Sequence, residues 1–122
     1  MPKKIINSLI AYFKILVFIN FLVSVALTYI IILYNIEYFN LKTVFIILYA
    51  ITWFFSLYKI YNFSKLGLKI YVSMVILGFI LGILSDFKIF GHLYYLLSLF
   101  EHLIIGSIIT FSYFSKLNIK FK

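Results

Sequence analysis

The sequence predicts an all-α membrane protein: a bundle of four transmembrane helices, consecutive helices antiparallel neighbours, both termini cytoplasmic. Three observations carry this. Of the 122 residues 66% are hydrophobic and only 11% are charged, whereas a soluble domain has about a quarter charged. With a mean hydropathy of +1.16, too little polar surface exists to wrap a water-soluble globule, and the apolar residues need lipid as their solvent. They fall into four runs, and the charges sit between the runs with most lysines on one side of the resulting topology. The chain reads as one domain, 1–122.

A spanning helix needs about 20 mostly apolar residues to cross about 30 Å of hydrocarbon. The first run, Ile15 to Ile36, is uncharged between Lys14 and Glu37 and predicts a span over about 13–36. The second and third lie between Lys42 and Lys59 and between Lys69 and Asp86, with sixteen uncharged residues each. Sixteen residues make about 24 Å of helix, which snorkelling lysines extend outward, so spans are predicted over about 42–60 and 68–86. The fourth, between Lys88 and Lys116, predicts a span over about 91–114. No segment alternates apolar and polar residues as a membrane barrel requires.

Lys3, Lys4 and Lys14, then Lys59, Lys65 and Lys69, then Lys116, Lys120 and Lys122 all fall on one side of a four-span chain. The other side holds Lys42 and Lys88 beside Glu37 and Asp86. Positive residues mark the cytoplasmic side, which predicts an integral protein of the bacterial inner membrane with both ends inside. Tyr34, Tyr38, Tyr58, Tyr61 and Tyr113 crowd the span ends as an aromatic belt. Ser24-Val25-Ala26 resembles a signal cleavage site, but the apolar run continues through Leu33, beyond the usual 7–15 residues of a signal peptide. An uncleaved first helix is expected.

Polar and small residues inside the spans predict helix contacts. Asn20, Ser24 and Thr28 recur every four residues in the first span, Tyr49, Thr52 and Ser56 at helical spacing in the second, and Gly78 and Gly82 four apart in the third. Small residues four apart allow close backbone approach, which makes Ser24, Thr28, Gly78, Gly82 and Gly106 candidate packing positions. In the fourth span Gly91, Tyr95, Ser98, His102, Gly106 and Tyr113 lie along one stripe, expected to face the bundle and carry His102 inward. Glu101 is expected on the flank, beside Ser98 and Tyr94. An acid at mid-membrane costs about 2.5–3.5 kcal/mol, and the twelve Leu, Ile and Phe of this span return about 5; insertion tolerates Glu101 but gives no reason for it. Glu101, His102 and Ser98 form the candidate intramembrane polar site, either handling a proton or cation or holding the bundle by a hydrogen bond.

Phe63-Ser64-Lys65-Leu66-Gly67-Leu68-Lys69-Ile70 and Phe114-Ser115-Lys116-Leu117-Asn118-Ile119-Lys120-Phe121 match at five of eight positions. A duplicated hairpin accounts for this; so does coincidence among few residue types that share a need for basic ends, the reading adopted.

Other chemistries are set aside. There is no Cys, hence no disulfide, thiolate nucleophile or Cys-ligated metal. His92 and His102 lie about 15 Å apart along one helix and no other helix carries a His, so no metal or other cofactor is expected. No phosphate loop or dinucleotide fingerprint occurs. The net charge of +8 punctuates apolar runs rather than forming a polar basic face, so the expected partner is the lipid bilayer and not nucleic acid. No enzyme is expected. The expected role is non-catalytic, through helix–helix association with a second copy or a membrane partner. Alternatives are an oligomeric small transporter or channel subunit with a proton or cation site at Glu101 and His102, and an immunity-type protein. Short, lysine-rich and four-spanning, the chain is similar in architecture, though in no motif, to immunity proteins against pore-forming bacteriocins. Small multidrug exporters also have four short helices and one embedded Glu, but in the first helix, whereas here the embedded acid is Glu101 in the last.

Overall fold

In a computed structural model, residues 3–35, 41–84 and 91–122 are described, and all fold as helix apart from short turns. α1 spans Lys3–Asn35, α2 Leu41–Tyr61, α3 Lys65–Leu84 and α4 Gly91–Phe114, followed by a 3-10 turn over Lys116–Lys120. Three stretches, Lys3–Leu33, Thr43–Tyr61 and His92–Phe114, are long and apolar enough to cross a membrane. Glu37, Asp86 and Lys88, on which the sparse charge of the opposite side rests, lie outside the described residues, as do Ile36, Ser85 and Tyr38 and the packing around Gly82 and Gly91.

Helices form where the apolar runs place them, and a helix satisfies its backbone groups within its own segment, as a lipid surrounding would require. The largest difference is at α1, which begins ten residues before the expected span and is about 50 Å long. Nothing in Lys3–Tyr12 breaks a helix, and Ile6, Leu9, Ile10 and Phe13 carry its inward stripe. Hydropathy limits a span; it does not limit the helix that contains it.

α2 packs along α3, α1 along α4, and α1 against α2. α3 and α4, although consecutive, are not closely packed among the described residues, so the antiparallel neighbour expected there is a loose edge. The small face of α3 is spent on α2. Gly67 sits so close to α2 that a Cβ there would collide with Lys59 Cβ, and Gly78 faces the Tyr49 hydroxyl, 2.6 Å from where its Cβ would be. Phe79 and Ile80, which follow, are exposed.

The α2–α3 corner closes as a Schellman motif: Ser64 N–H donates to the Lys59 carbonyl (3.0 Å) and Phe63 N–H to the Ile60 carbonyl (3.0 Å). Its left-handed residue is Phe63, φ 56°, where glycine is usual. The strain of about 1 kcal/mol is offset by the ring, which lies 5.3 Å from Phe13 and 5.4 Å from Phe121. Ser64 then caps α3, accepting from Gly67 N–H at 3.1 Å.

The segment after α4 folds back under this corner. Ser115 caps the 3-10 turn by accepting from Leu117 N–H at 3.1 Å, and Leu117 and Phe121 are buried. Lys122 N–H donates to the Phe63 carbonyl (3.1 Å), and its own carbonyl accepts from Lys65 N–H (2.9 Å). The two matching octapeptides therefore fold differently: Leu66 is 63% exposed where Leu117 is 0% exposed. The stretch of α1 around Phe13 and Lys14, the end of α2, the start of α3 and this segment share one end of the bundle, which gathers Lys14 over the Tyr61 ring at 5.0 Å and Lys120 over the Phe63 ring at 6.0 Å.

The surface is inverted relative to a soluble bundle. Phe18, Leu22, Tyr29, Phe45, Leu48, Ile51, Leu96 and Leu103 are exposed, while Asn20, Ser24, Ser56 and Ser112 are buried. Contiguous apolar surface of this extent is rare on a soluble monomer, and together with the three long apolar helices it suggests a membrane protein.

Candidate functional site

The buried polar groups converge on one hydroxyl. Ser24 of α1 accepts from the Trp53 indole N–H of α2 at 2.9 Å. It also lies 3.0 Å from Asn20 Oδ1 and 3.0 Å from Glu101 Oε1 of α4. Asn20 Nδ2 donates to the Tyr71 hydroxyl of α3 at 2.7 Å, and the Tyr71 ring stacks on Trp53 at 4.9 Å. All four helices are thus joined through about one turn of α1.

A serine hydroxyl holds one proton and two lone pairs. Trp53 takes one lone pair, so the proton serves either Asn20 or Glu101, and the remaining partner must donate in return. If Ser24 donates to Glu101, the Asn20 amide turns to present its NH2; if it donates to Asn20, the carboxyl supplies the proton. Directions of donation along Glu101–Ser24–Asn20–Tyr71 are therefore tied together.

α4 is rotated relative to expectation. Glu101, Ile104, Ile108 and Ser112 face inward, whereas Tyr95, His102, Gly106, Thr110 and Tyr113 are exposed. Hydrogen-bond supply explains the reversal. His102 Nδ1 donates to the Ser98 carbonyl at 2.5 Å, Thr110 to the Gly106 carbonyl at 2.8 Å and Ser107 to the Leu103 carbonyl at 3.0 Å. Each of these satisfies its donor on its own helix. A carboxylate only accepts, a helix interior has no free N–H to offer, and the donor it needs comes from another helix: Ser24.

Above this network, toward the far end from the lysines, a cavity of about 420 Å3 is lined by residues of all four helices, among them Thr28, Tyr49, Ala50, Gly78, Phe79, Tyr94, Ser98, Glu101 and His102. Phe79 and His102 are its exposed lining side chains. Their rings, 5.2 Å apart, meet across the loose edge between α3 and α4, so the cavity comes nearest the surface there.

Of the candidate polar site, the structure places Glu101 on the cavity floor, Ser98 on its wall and His102 on its rim. Ser24 is the centre of the network, Thr28 lines the cavity, and Gly78 meets Tyr49, whose hydroxyl donates to the Met74 carbonyl at 2.7 Å. Gly106 has nothing within 4 Å of its Cβ position. Sequence reasoning passed over Trp53. The signal was present: a single indole N–H in mid-span has to find an acceptor. Among the described residues no group of three or more His, Asp or Glu gathers. No known protein family, no curated protein and no solved structure matches this chain.

Proposed function

We propose that the chain is a four-span protein of the bacterial inner membrane, both ends cytoplasmic, which performs no catalysis and acts by associating through α4 with a second copy or a membrane partner. The observation that carries this is the outer face of α4. Gly106 lies open there between His102 and Thr110, a small and polar strip on a surface otherwise of large apolar side chains. Between helices in lipid, such strips let backbones approach and hydroxyls bond across. The clustering of lysines at one end of the bundle supports the orientation. Compartment-specific reporters on the two termini are expected to give cytoplasmic signals from both; a periplasmic signal from either overturns the orientation.

Because the chain has no Cys, single cysteines probe the surface cleanly. Thr110→Cys is expected to crosslink in native membranes to a copy or to another membrane protein, and Ile51→Cys, on the outer face of α2, is not. Gly106→Leu is expected to suppress the Thr110→Cys adduct at least about fivefold, a loss of about 1 kcal/mol, without lowering the melting temperature of the purified chain. Equal crosslinking from both faces, or an adduct indifferent to Gly106→Leu, sinks the association reading.

The cavity favours a second reading, a small transporter or channel subunit with its proton or cation site at Glu101 beside His102. Under it, Glu101→Gln and His102→Ala abolish a proton-coupled flux in liposomes while expression and assembly persist. If both variants lose only thermal stability, the transport reading fails.

A further inference from the structure

We propose that the cavity between the four helices binds an apolar organic cation, with the Glu101 carboxylate as its counter-charge. The proposal rests on the bundle itself rather than on association through α4, and it concerns binding whether or not the ligand is then carried across.

Glu101 lines the cavity and accepts from Ser24 at 3.0 Å, and no lysine is among the described residues that line it. An ionised carboxylate in apolar surroundings is costly unless an opposite charge joins it. The adjacent His102 is directed about 100° away around the helix, onto the exposed rim, with its Nδ1 on the Ser98 carbonyl. A positive charge seated inside the cavity against Glu101 is therefore left to a ligand.

The walls select its kind. A hard metal ion wants about six or more oxygens, and the Ser24 oxygen already serves three partners. The rings of Tyr49, Trp53, Phe79 and Tyr94 surround the space instead. Aromatic faces attract cations by about 0.5–2 kcal/mol each, and the aliphatic wall suits an apolar body. A volume of about 420 Å3 matches a small organic molecule, since such sites run about 300–1,000 Å3. The exposed part of the lining, the Phe79–His102 ring pair, faces sideways at the loosely packed α3–α4 edge, the side from which an apolar cation dissolved in lipid arrives.

Trp53 is the sole tryptophan and lines the cavity, so its emission reports occupancy. The full chain in detergent is titrated with tetraphenylphosphonium and with tetraphenylborate, ions of one shape and opposite charge. The expected result is a saturable change with the phosphonium at an affinity at least about tenfold above the borate's. Glu101→Gln, close in size, is expected to weaken the phosphonium by about tenfold or more and erase that preference. Ala50→Phe fills the space from α2 without touching the carboxyl and is expected to abolish binding, which keeps the test decisive if the Gln variant does not fold. Equal affinity for the two ions, a response to the phosphonium that never saturates, or phosphonium binding undiminished by either substitution overturns the proposal. The Gly106 crosslinking result stands or falls separately.

Discussion

Ser24→Ala is expected to destabilise the bundle by about 2 kcal/mol, even though it removes a single oxygen. Interhelical hydrogen bonds in membranes average only about 0.6 kcal/mol, so one lost bond does not produce this. The effect comes from what is left behind. The Trp53 N–H loses its acceptor at 2.9 Å and Glu101 loses its donor at 3.0 Å, and each buried group without a partner costs about 1–3 kcal/mol. Unfolding of the detergent-solubilised chain measures this against Ser107→Ala, whose hydroxyl bonds only the Leu103 carbonyl of its own helix. A Ser24→Ala loss no greater than that of Ser107→Ala removes Ser24 from the centre of the network.

Gly67→Ala is expected to cost more, about 3 kcal/mol, or to prevent folding. Its Cβ would collide with Lys59 Cβ and lie 3.1 Å from the Lys59 carbonyl carbon and 3.2 Å from Ile60 N. None of these atoms turns aside on a side-chain torsion, so α3 has to move off α2. That movement strains the Schellman corner and the pairing of Lys122 with Phe63 and Lys65. Gly78→Ala is the internal comparison. Its obstacle is the far end of the Tyr49 side chain at 2.6 Å, so the ring swings and the bond to Met74 is lost, at about 1 kcal/mol. Melting temperatures ordered with Gly78→Ala below Gly67→Ala contradict the close approach at the corner.

These residues show which features were legible beforehand. Four helices lie on the four uncharged runs because hydropathy is a local property, summed along the chain. α2 and α4 begin and end within a residue of the expected limits for the same reason. The inward face of α1 was legible in Asn20, Ser24 and Thr28, but that of α4 was not. In water, an apolar stripe at helical spacing marks the inner face; in α4 the outer face is apolar too, and that contrast is gone. The small residues near His102 suggested the wrong face, and what decided the rotation was a donor on another helix, Ser24, meeting Glu101. Trp53 and Tyr71 belong to the same network for the same reason, since partners 29 and 51 residues away in sequence leave no local trace.

The amino-acid sequence by itself determined the number of helices, where they run and which ends collect the lysines, because each follows from residues adjacent in the chain. Only the tertiary structure decided the rotation of α4, the loose α3–α4 edge and the cavity beside it, because each depends on whether a group finds its partner on a different helix.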